Sequence, residues 1–215
     1  MRRDVLLPLQ RAAKRAVDVA GASVLLVALA PAMAAIAAAV RATSPGEALF
    51  RQERVGKDGR PFTILKFRTM VKDAPRSALG TYCYADDPRI TRVGRVLRAT
   101  SLDELPQLVN VLRGDMSFVG PRPDLPHHVA RYSPEQRRRL AMRPGITGWA
   151  QVNGRNSIPW ERRIELDVEY VSRWWLGLDA IVVARTIGVL LSRRGVQLPA
   201  KVGEGRWDTT KKKAG

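Results

Sequence analysis

Two adjacent carboxylates, Asp103 and Glu104, lie between hydroxyl-bearing residues and a proline in residues 100–108. Ser101 and Glu104 fit the S-x-x-E pattern of a helix start, whereas Pro106 favours a slightly later start, so Ser101 and Asp103 are both candidate caps. In either case the acids fall in a first helical turn, where free N–H groups favour negative charge. One carboxylate is then a candidate nucleophile and the other a candidate metal ligand, although acids are also common at the start of ordinary surface helices.

Cationic side chains precede this acid pair. Lys66 and Arg68 alternate in residues 62–68, which have strand-like composition, and are therefore expected on one face. Arg98 ends a row of arginines spaced by three, which places the row on one stripe of a helix that leads into the acids. Such cations form either salt bridges with the acids or a wall that binds phosphate.

Proline and glycine punctuate the segments after the acid pair. Pro121 and Pro123 fix the backbone on both sides of Arg122, which holds its guanidinium for a planar or phosphate partner. Arg143 begins one glycine-containing turn, and Arg155 lies in another polar, glycine-containing loop. The glycines of these two loops either let the backbone approach a ligand closely or serve ordinary turns.

Composition limits the partners and the metal. The chain has 215 residues, enough for one domain with a small appendage, and 37 Lys and Arg against 20 Asp and Glu give it a net charge of +17. This excess indicates a polyanionic partner: nucleic acid, anionic lipid or a phosphorylated substrate. With Cys83 as the single cysteine and only two histidines, a structural zinc site is excluded, so a metal held by oxygen, Mg²⁺, is expected.

Residues 17–40 form an apolar run of 24 residues whose only charge is Asp18. As a straight helix the run would be about 36 Å long, enough to cross a bilayer core. A cleaved signal peptide, a spanning helix and a buried core helix are alternatives. Basic residues on both sides and Pro31 near the middle favour a re-entrant helix, because neither half alone is long enough to cross.

The remaining pattern predicts a mixed fold. Residues 50–55 and 62–68 flank the turn signal Asp58-Gly59 and predict a β-hairpin. Residues 105–112 and 160–173 predict helices, residues 71–91 a loop, and residues 203–215 a disordered tail. Residues 137–139, all arginine, are expected on a helix face toward solvent or anionic lipid. Residues 179–194, which follow two tryptophans, predict either an in-plane membrane helix or a terminal helix packed on the core.

These motifs stand together in one order, and the chain resembles the bacterial sugar transferases, which are monotopic phosphoglycosyl transferases. The matching stretches are KRAVDVAGA, FRQERVGKDGRPFTILKFRTM, DDPRITRVGRVLRATSLDELPQLVNVLRGDMSFVGPRP, RPGITGWAQVNGR and the later pair Asp167 and Tyr170. The resemblance covers about residues 14–195.

The resemblance implies that the chain transfers a sugar-1-phosphate from a UDP-sugar to undecaprenyl phosphate and releases UMP, as the first membrane step of exopolysaccharide assembly. Asp103 matches the nucleophile that forms a phosphosugar-aspartyl intermediate, and Glu104 matches the ligand of Mg²⁺. The segment Pro121-Arg122-Pro123 matches one associated with the nucleotide. Further candidates for binding the substrate are Lys66, Arg68, Arg98, Arg143 and Arg155.

The implied fold is α+β and mostly helical, with an N-terminal re-entrant membrane helix, a small β-hairpin and amphipathic helices on the membrane surface. We expect a membrane unit over residues 1–45, a catalytic domain over 46–200 and a basic tail over 201–215. The implied location is the cytoplasmic face of the bacterial inner membrane. Relatives bend the re-entrant helix at a Ser-Pro pair, where this chain has Ala30-Pro31. Larger relatives carry further transmembrane helices, so this is expected to be the minimal catalytic form.

Two other functions stay open from the residues alone. A membrane-tethered nucleic-acid-binding protein would explain the net charge of +17, but the chain has no base-reading motif, and no nucleic acid is expected. A metal-dependent phosphodiesterase would use the same two acids as ligands and need no lipid. The sugar and the oligomeric state, including a homodimer, are not defined by the sequence.

Overall fold

A computed structural model of the chain describes residues 2–72, 74, 87–154 and 157–192. It is mostly helical with two small sheets, so the predicted α+β class is confirmed. The predicted disordered tail, Arg155 and most of the predicted loop over residues 71–91 lie outside the described residues. The proposed boundary at residue 45 falls between the first helix and the first strand and stays a prediction.

The helices of four residues or more are α1 (Arg2–Thr43), α2 (Arg92–Thr100), α3 (Gln107–Arg113), α4 (Pro126–Val129), α5 (Pro134–Arg137), α6 (Trp149–Val152), α7 (Trp160–Arg173) and α8 (Leu176–Ser192). The strands are β1 (Leu49–Val55), β2 (Pro61–Phe67), β3 (Ser117–Val119) and β4 (Gly145–Thr147). Tight 3₁₀ turns cover Lys57–Gly59, Leu102–Glu104 and Arg138–Ala141.

The β-hairpin forms where its sequence pattern predicts it. Strands β1 and β2 are antiparallel, with Leu49 opposite Phe67 and Val55 opposite Pro61. Asp58 and Gly59 both adopt positive φ, at 56° and 78°, which is the conformation that Asp-Gly favours in tight hairpin connections. The hairpin thus provides a rigid face against which α1 and α3 pack.

Strands β3 and β4 form a second, parallel pair, which the sequence did not predict. Its cause is close contact between two glycine-containing segments. A Cβ on Gly145 would lie 2.1 Å from the backbone nitrogen of Gly120, and one on Gly148 would lie 2.1 Å from the Gly120 carbonyl oxygen. Gly145 and Gly148 therefore let backbone pack on backbone, so their close contacts here are structural.

The single charge in the apolar run has a structural partner. Asp18 is only 3% exposed and accepts hydrogen bonds from the hydroxyl of Ser117 and the backbone N–H of Phe118. One turn earlier, Lys14 pairs with Asp179 on α8 and donates to the carbonyl of Val119. Because buried charges are costly unless paired, these contacts fix the start of the apolar helix on β3.

Helix α1 contacts the rest of the protein on both sides of Pro31. Leu26 and Leu29 pack on the cluster that contains Ile64, whereas Met33 and Ile36 pack on the cluster that contains Phe67. The segment Leu7–Thr43 is long and apolar enough to cross a membrane, and only 6% of its most apolar window is buried. The helix runs through Pro31 without ending there, and the re-entrant bend stays a prediction.

Helix α8 turns Asp179 and Thr186 toward the rest of the protein. Asp179 is 8% exposed and accepts hydrogen bonds from Tyr170 and Trp174, and Thr186 bonds with the hydroxyl of Thr147. The opposite face exposes apolar side chains, among them Ile187 at 56%. The helix therefore packs on the core, and its contact with a membrane surface through the exposed apolar face stays a prediction.

Candidate active site

A reversal of the chain after α2 positions the acid pair. Ser101 ends α2 with a left-handed conformation, φ 58° and ψ 15°, which is uncommon for a residue other than glycine. Asp103 and Glu104 then form a 3₁₀ turn before α3. Neither Ser101 nor Asp103 caps a helix with its side chain, so the predicted capping box is wrong. The backbone N–H of Glu104 instead bonds to the Ser101 carbonyl.

Glu104 is 9% exposed and is held by two cations. Its Oε1 atom accepts a hydrogen bond of 3.0 Å from Lys66 Nζ and one of 2.6 Å from Arg122 Nη2. Burial alone would raise the pKa of Glu104, but Arg122 and Lys66 more than offset it and lower that pKa strongly. Glu104 is therefore ionised, and its Oε2 atom makes only one long contact, 3.5 Å, with Arg122 Nη1.

Asp103 has the opposite environment. Its half-buried side chain makes no hydrogen bond or ion pair with any residue that the structure describes. Burial raises the pKa of Asp103, the charge of Glu104 raises it further, and the positive charges of Lys66, Arg122 and Arg98 lower it. This rise is contrary to the expectation that a helix start holds the carboxylate ionised. Asp103 is thus an unengaged carboxyl group surrounded by cations.

Asn110 aligns the hairpin with the acid pair, a role that sequence reasoning missed. Its side-chain oxygen accepts a hydrogen bond of 3.0 Å from the backbone N–H of Leu65, and its side-chain nitrogen donates one of 2.7 Å to the carbonyl of Thr63. These bonds attach α3 to β2 next to Lys66. Because Asn110 is fully buried, its two bonds to the backbone set the relative position of Lys66 and Glu104 closely.

A buried ion pair supports Arg122 from behind. Arg139 is 5% exposed, pairs with Asp167 on α7 and donates a hydrogen bond of 2.6 Å to the carbonyl oxygen of Arg122. The expectation that Arg139 faces solvent or lipid is therefore wrong. The backbone N–H of Val55 also bonds to the carbonyl of Asp124, which attaches the Pro-Arg-Pro segment to β1.

The remaining predicted site residues divide into two groups. Arg98 and Arg122 lie near Asp103, since the charge of each lowers its pKa, and Pro121 and Pro123 flank Arg122. Arg68 does not join them, because its guanidinium donates to the carbonyls of Ser44, Pro45 and Gly46.

Arg143 lines a cavity that does not include the acid pair. Its Nε atom donates to the carbonyl of Gly114, and it lines that cavity together with Arg11, Lys14 and Arg15 on α1. That Arg68 and Arg143 bind the transferring phosphoryl group stays a prediction, which these contacts away from the acid pair do not support.

The donor set at the acid pair fits Mg²⁺ only in one mode. Within the described ranges, no group of three or more His, Cys, Asp or Glu side chains could enclose a metal ion. Mg²⁺, however, commonly binds through one or two carboxylates together with substrate phosphates and water. Glu104 Oε2, with its single long contact, and the unengaged carboxyl of Asp103 are suitable donors for that mode.

The chain thus combines an exposed apolar helix with a cluster of two acids, Asp103 and Glu104, and two cations, Lys66 and Arg122. The chain belongs to the bacterial sugar transferase family, whose pattern matches residues 9–193. It is accordingly a phosphoglycosyl transferase.

Several relatives named as sugar-phosphate transferases or as an exopolysaccharide protein are similar in sequence to most of this chain. It is 47% identical over 199 residues to the UDP-glucose:undecaprenyl-phosphate glucose-1-phosphate transferase of Caulobacter vibrioides, covering 86% of this chain and 73% of that protein. It is 44% identical over 190 residues to the Escherichia coli protein of the same name, covering 82% of this chain and 40% of that protein. It is 39% identical over 202 residues to the exopolysaccharide production protein ExoY of Rhizobium meliloti, covering 87% and 89%.

Proposed function

We propose that this protein transfers a sugar-1-phosphate from a UDP-sugar to undecaprenyl phosphate through a covalent intermediate on Asp103. The observation that carries the proposal is the contrast between the two acids: Glu104 is held by Lys66 and Arg122, whereas Asp103 is unengaged beside the same cations. The names of the Caulobacter and Escherichia coli relatives support both substrates.

In the first step, a carboxylate oxygen of Asp103 attacks the phosphorus that carries the sugar. The bond from that phosphorus to the bridging oxygen breaks, its electron pair stays on that oxygen, and UMP leaves. The sugar phosphate is now bound to Asp103 as a mixed anhydride. Lys66 and Arg122 face this centre and stabilise negative charge on the phosphoryl oxygens as the displacement proceeds.

In the second step, an oxygen of the lipid phosphate attacks the same phosphorus. The bond to Asp103 breaks, which restores the carboxylate and gives a lipid diphosphate sugar. Direct transfer would require two anionic substrates to react with each other in one displacement. The covalent intermediate replaces it with two displacements, both at the same cationic centre. Bound Mg²⁺ would supply charge neutralisation of the diphosphate, with Glu104 as its protein donor.

Both substrates can meet at this site if the protein lies on one leaflet. Val17, Val24 and Val27 on α1 are 62%, 66% and 78% exposed, and an exposed apolar surface of this kind favours lipid contact. The contacts of α1 on both sides of Pro31 support a helix that enters the bilayer and returns. We place the catalytic domain at the cytoplasmic face of the inner membrane, where the polar donor and the lipid acceptor are both accessible.

The decisive experiment supplies membranes carrying the protein with undecaprenyl phosphate and a panel of UDP-sugars labelled in the sugar. Label should enter the lipid phase, and unlabelled UMP should form in equal amount. A metal-dependent phosphodiesterase would instead release labelled sugar phosphate into water without lipid. Asp103→Asn serves as the inactive control. Water-soluble sugar phosphate as the main product would contradict the proposal.

A further inference from the structure

Three arginines from separate elements converge beyond Glu104. Arg54 lies on the same face of the hairpin as Lys66, because Arg54 is paired with Phe62 and side chains alternate along β2. Arg122 follows in the segment attached to β1 by the bond from Val55 to Asp124. Arg163 lies on α7, one turn before Asp167, which places both on the face that is directed at the Arg122 backbone.

The acids in this region are already engaged by other groups. Asp124 accepts hydrogen bonds from His128 and Leu125 on one oxygen and from Tyr132 on the other. Asp167 is paired with Arg139, and Glu104 with Lys66 and Arg122. The positive charges of Arg54 and Arg163 therefore have no direct ion-pair partner within residues 2–72, 74, 87–154 and 157–192.

The guanidinium groups themselves retain unused donors. The Nε atoms of Arg54 and Arg163 are both buried and have no hydrogen-bond partner within the described part of the chain. Arg54 makes one side-chain hydrogen bond there, 2.6 Å from Nη2 to Gln52 Oε1, and Arg163 makes none. Burial, and then the charge of Arg122, lower the pKa of both arginines. Bringing like charges together in this way is unfavourable unless an anion joins them.

The position of the two arginines relative to the acid pair indicates which anion this is. The charges of Arg122 and Glu104 both act on Arg54, and the charge of Arg122 acts on Arg163. Arg122 in turn bonds directly to Glu104. An anion between Arg54 and Arg163 would therefore lie next to the reacting centre, where the second phosphate of a UDP-sugar would lie when Asp103 attacks the first.

We propose that Arg54 and Arg163 form an anion subsite for the phosphate of the nucleoside monophosphate that leaves in the first displacement. This inference rests on the proposed function and adds the position of the leaving group. When the bond between phosphorus and bridging oxygen breaks, that phosphate gains negative charge, which the two guanidinium groups stabilise by charge-assisted hydrogen bonds. In the second displacement the lipid phosphate attacks in line from the side that the monophosphate has left.

Binding of UMP to the detergent-solubilised full chain tests the subsite without turnover. Arg54→Gln and Arg163→Gln should each weaken UMP binding, measured by titration calorimetry, by about tenfold or more, as expected for a lost charged hydrogen bond. They should also raise KM for the UDP-sugar. The matched controls are Arg51→Gln on β1 and Arg162→Gln on α7. Each removes an exposed arginine from the same element as its test variant, and these arginines pair with Glu47 and Glu165.

The outcomes separate this subsite from the proposed function. Unchanged UMP affinity in both variants, with normal transfer to lipid, would overturn the subsite alone. A raised KM for undecaprenyl phosphate with unchanged UMP binding would assign these arginines to the acceptor and also overturn it. Absence of lipid product from the wild-type protein, with UMP binding still dependent on both arginines, would contradict the transfer reaction but support the subsite. Equal thermal unfolding of variants and controls shows that each variant is folded.

Discussion

Asp103 and Glu104 are neighbours in one 3₁₀ turn, yet their surroundings shift their pKa values in opposite directions. Burial opposes the charged form of both. For Glu104 the direct bonds from Lys66 and Arg122 outweigh that cost, whereas Asp103 senses the same cations without bonding to them and also the negative charge of Glu104. One acid is therefore a fixed anion that positions cations, and the other is available for chemistry.

This contrast predicts the pH dependence of the first step. The nucleophile must be ionised, and the pKa of Asp103 is raised above the ordinary 3.8. As the pH is lowered, adduct formation should therefore begin to decline at a higher pH than it would with an exposed aspartate as nucleophile. Arg98→Gln removes a positive charge that lowers the pKa of Asp103, so the decline should move to still higher pH. Single-turnover UMP release across pH measures it, and Arg95→Gln, on the exposed side of α2, should leave the profile unchanged.

Asp167 predicts a second pH effect, on stability. Burial raises its pKa to about 6 from 3.8, and Arg139 only partly opposes that rise. Between about pH 4 and pH 6 the folded protein therefore holds a proton that the unfolded chain has lost, and this contribution to stability falls as pH rises, by roughly 3 kcal/mol in total.

The test of this effect is denaturant unfolding of the wild type and Asp167→Asn in the same detergent from pH 4 to pH 7. The wild type should lose stability relative to the variant as pH rises through this window. A difference that grows in the opposite direction, or that does not change with pH, would show that Asp167 is already ionised at pH 4.

Local patterns predicted much of the site but failed where contacts are distant in sequence. The strand pattern and the Pro-Arg-Pro pattern indicated Lys66 and Arg122 as site candidates, and both contact Glu104, although neither pattern predicts that contact. Arg139 was misplaced because its partner Asp167 is 28 residues away, and no local pattern indicates that pairing. Asn110 was overlooked since a single asparagine within a helix has no signature of the two backbone bonds it makes to β2.

The fold shows the same limit. The hairpin and the end of α3 at Gly114, with φ 86°, follow from turn chemistry that acts over a few residues. Strands β3 and β4 have three residues each and pair in parallel across 25 intervening residues. Three residues are too few to show the alternation that marks a strand. Only the close approach of Gly120 to Gly145 in the structure reveals the pairing.

Substitution of Arg68 and substitution of Lys66 should have different consequences. Arg68→Met removes donors to three carbonyls that connect α1 to β1, so it should lower the free energy of unfolding by about 1–3 kcal/mol without altering KM. Lys66→Met should instead reduce the rate of adduct formation, because it removes a charge next to Asp103 and Glu104. Unfolding curves and single-turnover rates for both variants distinguish these effects; a raised KM in a fully stable Arg68→Met protein would return Arg68 to the site.

The topology of α1 can be read with thiol labelling in a Cys83→Ser background. If the helix enters and leaves through one leaflet, cysteines at positions 5 and 57 should both resist an impermeant thiol reagent in intact cells and react after lysis. Pro31→Ala restores a backbone donor and favours a straight helix, so it should expose position 5 to the reagent. Labelling of position 5 in the otherwise wild-type chain would instead show that α1 spans the membrane.

The final prediction concerns the covalent role of Asp103. UMP release should begin before any lipid is added and should reach at most one equivalent per active enzyme, because the sugar phosphate stays on the carboxylate until an acceptor arrives. The peptide that contains Asp103 should then carry the added mass of a sugar phosphate. Addition of undecaprenyl phosphate should remove that mass and start multiple turnovers.

Two substitutions separate this role from a structural one. Asp103→Asn keeps the size of the side chain but removes the anionic nucleophile, so both the adduct and UMP release should vanish. Asp103→Glu moves the carboxylate by roughly 1.5 Å and should be severely impaired, since in-line attack is sensitive to such displacement. Because the described residues make no hydrogen bond to Asp103, neither change should lower thermal stability by much more than about 1 kcal/mol. Full turnover by a stable Asp103→Asn protein, or an adduct on a different residue, would assign the nucleophile elsewhere.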